Sequence, residues 1–406
     1  MPDRGSGELR LFSLLKILAA SHQVTVYTWS WGQEVDDDAK LRYRENLVAE
    51  GVVHESLGLR ALLQRDRYDA IVFEWYYWVD WYLQDVKTWQ PDAKILIDTV
   101  DIEFRRLALQ AHAAGGYTDA QLREFKRKEL AAYQRADMLI AVSTEEAAIL
   151  SEELPGTEIA VIPNIHIFPE TLPVLSADAN VIFIGNFRFD PNLDAVRYFC
   201  SEIWPGVHAK IPNAKFSIVG NALPNDLPFF QLEGVEAVGY VPDTATYLAQ
   251  SRVSVAPLRF GAGVKGKVGE AIAAGIPVVT TSIGLQGMPL KAEQDIMIAD
   301  SPAKFSDSVV RLLTDYDLCE RQRMAAWEQL KTEFGFDAIR VRVDAILERV
   351  PHLKTEALGL PRRWAQRVKY MLDQHFLWRF SNDSNDLDGE SGREKISSTH
   401  KKESSQ

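Results

Sequence analysis

Between Arg259 and Lys267 the sequence RFGAGVKGK places three glycines and two lysines where an apolar strand pattern ends near Leu258 and a helical pattern begins close to Lys267. Glycines let a backbone approach an anion closely, and the free N–H groups of a helix start point toward it. The spacing predicts a phosphate cradle. Lys265 and Lys267 add positive charge, and Lys267, at the helix start, is the better placed for direct contact. Glu270, one turn further on, cannot favour phosphate but can accept hydrogen bonds from ribose or sugar hydroxyls. Charge of both signs at one helix start suits a nucleotide. The alternative is a Gly-rich turn that serves tight packing, with lysines that are simply exposed. The stretch is neither GxxxxGK[ST] nor a GxGxxG after a first strand.

The elements that must hold this loop are legible on both sides. LFSLLKILAA (11–20) reads as a helix and HQVTVYTWSW (22–31) as a strand, and the alternation continues through YDAIVFEW (68–75) and AKILIDTV (93–100). The helical REFKRKELAAYQRA (123–136) follows, then MLIAVS (138–143) and EIAVIPN (158–164). Short buried strands alternating with helices point to an α/β fold with parallel sheets covered on both faces. A connector, FPETLPVLSADAN (168–180), has little periodicity and precedes a second half with the same grammar. That half opens with NVIFIGNF, and its first helix starts at Asp190-Pro191, where an Asp can cap and a Pro is tolerated. Leu193, Val196, Cys200, Ile203 and Val207 then recur at helical spacing, before KFSIVG (215–220), EAVGYV (236–241), VSVAPL (253–258), IPVVTT (276–281) and DIMIAD (295–300).

A chain of 406 residues, 46% hydrophobic and 25% charged, is expected to form two globular units. The boundaries read as 1–170, a linker at 171–180, 181–350, a helical segment at 351–380 and a disordered tail at 381–406. The net charge of -12 argues against nucleic acid as a partner. Cys200 and Cys319 support neither a disulfide framework nor a zinc site, and the N-terminus lacks a signal-peptide core, so a cytoplasmic location is expected. PRRWAQRVKYMLDQHFLWRF (361–380) sets Trp364, Val368, Met371, Leu372 and His375 on one face, with Arg362, Arg363, Arg367 and Lys369 supplying charge. Such a helix either packs back on the body or touches the inner face of a membrane. DDD at 36–38 reads as a solvated loop rather than a metal site.

PLRFGAGVKGKVGEAIAAGIPVVTTSIGLQGM resembles the donor-binding signature of glycosyltransferases of the GT-B fold, the retaining family 4 (glycosyl transferases group 1). FIGNFRFDPNLDAVRYF, IPNAKFSIVG and GVEAVGYVPD are similar to the same domain, and DRGSGELR, DTVDIEFRR, ADMLIAVS and VIPN to the family's acceptor domain, together over roughly 2–350. The resemblance implies two Rossmann-like domains with parallel sheets facing across a cleft, and a nucleotide-diphosphate sugar as donor substrate with no cofactor and no metal. It places Lys267, Lys265 and Arg188 near the diphosphate, with Gly263 and Val264 offering N–H groups. It puts Glu270 on the ribose, and the backbone of Gly239, Tyr240 and Val241 on the base. Ser6 and Gly7 would lie in the phosphate or acceptor loop. Asp101 and Glu103 are the catalytic candidates of the first half, beside Lys267. Retention with a phosphate oxygen taking the acceptor's proton is implied, on a glycan or lipid-linked acceptor in bacterial surface polysaccharide assembly.

Three departures stand out. Members often carry two glutamates eight positions apart, and Ala262 stands where the first would be. Glu103 replaces a histidine of an Asp-x-His pattern. The strand that precedes the loop resembled by DRGSGELR is missing, so the first domain is expected to lack its first strand. These departures motivate a second reading, a catalytically degenerate binding or scaffold protein. A sugar-nucleotide epimerase would need clustered acid-base groups, and the eight histidines form no evident cluster.

Overall fold

The structure, a computed structural model, describes residues 6–28, 37–54, 57–224, 227–261 and 263–353. The basic helix expected at 361–380, the tail and Ala262 lie outside the described residues.

Strands β1 (Val24–Val26) and β2 (Val52–His54) form a two-stranded parallel sheet. Strands β3 (Ala70–Glu74), β4 (Lys94–Asp98), β5 (Met138–Ala141) and β6 (Ile159–Val161) form a parallel sheet in that order. Among the described residues no pairing joins the β1-β2 sheet to the β3-β4-β5-β6 sheet, and Val72 in the middle of β3 is 47% exposed. The second half carries β7 (Asn180–Ile184), β8 (Lys215–Val219), β9 (Val235–Gly239), β10 (Val253–Ala256), β11 (Val278–Thr280) and β12 (Met297–Ile298), all parallel. Their order is β12-β11-β10-β7-β8-β9. The chain winds one way from β7 to β9 and the other way from β10 to β12. The loops after β7 and β10 therefore diverge and leave a crevice at the carboxyl ends of these two strands, the usual ligand position in such a sheet.

Buried rings anchor the second half: Phe183, Phe199, Trp204, Phe216 and Phe305 share one core. Full burial of one such side chain is worth about 1.5–3 kcal/mol. The helix Phe336–Arg349, which sequence position assigns to the second half, packs instead on the first sheet. Its apolar stripe Ile339, Val343 and Ile346 is buried in one cluster with Leu14, Ile17, Leu96 and Met138. Arg10, 1% exposed, donates to Asp98 Oδ2 at 2.6 Å and to the Ile162 carbonyl at 2.8 Å, tying the helix Ser6–Ala19 to the ends of β4 and β6.

Local expectations are corrected at three places. Asp37 and Asp38 open the helix Asp37–Ala49 rather than a loop, where negative charge meets the positive end of the helix dipole. Asp190 does not cap its helix: Phe189 holds the cap position without a side-chain bond, and the Asp190 carboxylate accepts from Gln110 Nε2 at 3.2 Å instead. The single helix expected through Val207 is divided by a π turn at Phe199–Ile203. Pro205 just beyond it has no N–H to donate, and the wider turn shifts the hydrogen-bond ladder past it.

Candidate functional site

The Gly-rich loop leaves β10 and enters the helix Gly266–Ala273, which opens without a side-chain cap. Gly261 and Gly263 have φ of 133° and 70°, conformations that favour glycine. Gly287 closes the segment from below, since a Cβ there would stand 2.7 Å from Val264 Cγ2. Lys267 Nζ donates to Asn192 Oδ1 and lies 4.2 Å from the centre of the Phe183 ring. Both partners belong to the β7 side, so Lys267 spans the crevice between the diverging loops. Burial pushes its ammonium down to about 7, and the charge of Lys265 adds to the effect while Glu270 opposes it. Glu270 accepts from Thr244 Oγ1 at 2.6 Å, and burial raises its pKa.

Other donor-side candidates line the same strand ends. Arg188 is exposed on the loop after β7, where its N–H donates to Asn186 Oδ1 at 3.1 Å. Gly239, with φ of 76°, ends β9, and its carbonyl accepts from Gly220 N at 2.7 Å. Gly220 in turn approaches the β7 loop so closely that a Cβ would fall 1.7 Å from the Gly185 carbonyl oxygen. Tyr240 is 42% exposed beside it, and Val241 packs on the core around Ile182 and Val268.

The first half meets this loop directly. A Cβ on Gly263 would lie 3.3 Å from Asp101 Cβ, 3.8 Å from Glu146 Oε1 and 4.0 Å from the Val100 carbonyl oxygen. Val100 has φ of 59°, an unfavourable conformation for a β-branched residue, costing of order 1–3 kcal/mol. Gly7 approaches the same turn, where a Cβ on it would lie 3.7 Å from Val100 Cγ1, and Ser6 begins its helix. Asp101 Oδ2 accepts from Arg106 Nε at 3.0 Å. Burial raises the Asp101 pKa, against the pull of Arg106. Both Glu103 oxygens are engaged, by Tyr76 OH at 2.7 Å and Arg106 Nη2 at 2.8 Å. Lys265 is 9% exposed, donates to the Gly263 carbonyl at 2.6 Å and is pushed down to about 8 by burial, with Glu146 and Asp101 opposing the shift.

Sequence reasoning missed Glu146, Asn192, Thr244 and Asn164. Asn164 Nδ2 donates to the Val264 carbonyl at 3.1 Å and so fastens the first half to the donor loop. None of these lies in a Gly/Lys pattern. The one local signal was the spacing Ser143-x-x-Glu146, which reads as an ordinary helix cap.

Residues 178–315 match the family model described as glycosyl transferases group 1. That stretch is a glycosyl transferases group 1 domain. It holds β7 to β12, the Gly-rich loop and the β7 loop. A curated relative from Klebsiella pneumoniae, an uncharacterized 44.6 kDa protein in the cps region, is 26% identical over 143 residues, 33% of this chain; the match spans 37% of the relative's length. Among solved structures, sucrose-phosphate synthase from Thermosynechococcus elongatus superposes with a TM-score of 0.64 at 17% identity, over 86% of this chain and 93% of that one. Anabaena HepE in complex with UDP and glucose gives a TM-score of 0.65 at 14% identity, over 85% and 96%. The chain as a whole has the GT-B fold of two Rossmann-like domains. Among the described residues no helix is long and apolar enough to cross a membrane.

Proposed function

We propose that the chain transfers a glycosyl group from a nucleotide-diphosphate donor to a glycan or lipid-linked acceptor, with retention and without a metal ion. One observation carries this reading: the Lys267 ammonium spans the crevice at the reversal of strand order, at the start of a helix whose Gly-rich approach touches the opposite domain. A departing diphosphate needs charge stabilisation, which a lysine and a helix N-terminus supply together. Glu270 would take the ribose hydroxyls, and Gly263 and Val264 would offer backbone N–H groups. The HepE complex with UDP and glucose supports the donor class, and the relative in the cps region supports a setting in polysaccharide or glycoconjugate biosynthesis.

Incubation with a panel of radiolabelled nucleotide sugars and lipid or glycan acceptors tests the activity, and Lys267→Ala tests the site. The parent should transfer label from one donor, and the variant should bind that donor at least tenfold more weakly. A variant that binds as well as the parent sinks the assignment. A second reading, donor binding without turnover, is favoured by Glu103, which stands in place of the family's histidine and whose two carboxylate oxygens already accept hydrogen bonds from Tyr76 and Arg106. Binding without transfer across the whole panel would select it.

A further inference from the structure

Glu146 is 4% exposed, and neither of its carboxylate oxygens makes a hydrogen bond. Its local sequence offers a partner that it does not use. Ser143-x-x-Glu146 has the form of a capping box, and Ser143 Oγ accepts from Glu146 N at 3.1 Å, but the reciprocal bond from the Ser143 N–H to the glutamate is not formed. The same box is complete at Thr118 and Gln121, where Thr118 N donates to Gln121 Oε1 at 2.9 Å. The Glu146 side chain instead reaches the donor loop, 3.8 Å from where a Cβ on Gly263 would stand. Burial and the neighbouring Asp101 push the Glu146 carboxyl up to about 8, while the backbone N–H groups of Ile102 and Val142 oppose the shift without a hydrogen bond of good geometry.

A second acceptor stands at the same point. Asp101 Oδ1 is buried and unpaired while Oδ2 is taken by Arg106, and Asp101 Cβ lies 3.3 Å from the same Gly263 position. An unpaired buried acceptor costs about 1–3 kcal/mol, and more when charged, so two of them converging on one glycine mark a place that a ligand completes. Carboxylates accept and, when ionised, cannot donate. Burial favours the protonated form of both, so the place accepts and donates hydrogen bonds, which sugar hydroxyls answer and a diphosphate, lacking donors, does not. The positive charge of Lys265, felt by both carboxylates, counts against a metal ion at this point.

We propose that Glu146, together with Asp101 Oδ1, accepts hydrogen bonds from hydroxyl groups of the transferred sugar, so that the first domain selects the sugar of a donor whose nucleotide is held by the second. This rests on the donor-site reading above. Glu146 is then a specificity-determining residue, and its energetic role is confined to the sugar.

Calorimetric titration of the full chain with UDP, GDP, UDP-glucose, UDP-galactose, UDP-N-acetylglucosamine and GDP-mannose, with no acceptor present, tests it. The parent should discriminate among sugars on one nucleotide. Glu146→Gln and Glu146→Ala should keep the Kd for that nucleoside diphosphate within about twofold, which also reports an intact fold, and should weaken the preferred nucleotide sugar about tenfold to a hundredfold, the range of a buried hydrogen bond. A parent that ranks all sugars equally, variants that keep the parent's ranking, or variants that lose the diphosphate as well would each overturn the proposal. A parent that binds neither diphosphate overturns the donor-site reading itself, and this proposal with it.

Discussion

Raising the pH should weaken donor binding through Lys267. Its ammonium has a pKa of about 7, because burial and the Lys265 charge disfavour the charged form more than Glu270 favours it. A bound diphosphate supplies the missing counter-charge and should return the lysine toward its ordinary value of about 10.4. Between these values binding takes up a proton. Below pH 7 the lysine is charged beforehand and affinity is flat; above it each pH unit costs a factor of ten. The Kd should therefore rise about tenfold by pH 8 and about a hundredfold by pH 9 relative to the acid plateau, about 2.7 kcal/mol at the upper end. Lys265, at about 8, faces the same cleft and would steepen the profile if it also contacts phosphate. Calorimetry with UDP in two buffers of different ionisation enthalpy reads the proton uptake directly, and it should approach one proton or more at pH 8.5. Lys267→Met should bind weakly at every pH with a flatter profile. A parent Kd that stays constant from pH 7 to 9, with no proton uptake, would refute the reasoning.

Two further outcomes concern the scaffold. Arg10→Met should destabilise the chain by about 3–5 kcal/mol in denaturant unfolding, because Asp98, 2% exposed, would be left as an unpaired buried charge; a loss under about 1 kcal/mol would mean the pair ties nothing together. His166 is held neutral by burial, with its pKa pushed down to about 4 against about 6.5 unfolded, so between these values the unfolded chain binds more protons. Its contribution to stability is present above pH 6.5 and lost as the pH falls toward 4. The ring abuts Gly269 and stacks on Phe334, so His166→Phe keeps its apolar contacts and should lose less stability between pH 6.5 and 4.5 than the parent does; equal losses in thermal melts would count against the assignment.

Most of the strands and the donor loop were legible in the sequence because they depend on neighbours a few residues apart. The β-rich runs at Lys94–Asp98 and Val253–Ala256 reflect strand burial on both faces, and the glycines at 261 and 263 reflect backbone angles that other residues rarely adopt. The Lys267 and Glu270 spacing on one helix turn was visible for the same reason. What the sequence could not determine is which groups meet across the cleft. Asn192 reaches Lys267 from 75 residues away, Asn164 reaches Val264 from 100, and Thr244 reaches Glu270 from 26. The helix Phe336–Arg349 carries an apolar stripe that names no partner, and only the packed structure assigns it to the first sheet. Glu146 shows the division most directly: its spacing from Ser143 reads as a cap, and only the packed structure sets its carboxylate beside Gly263. Local spacing determined the backbone that can cradle an anion; the docking of two sheets decided which carboxylates and lysines face it, because charge and burial at a cleft come from both walls at once.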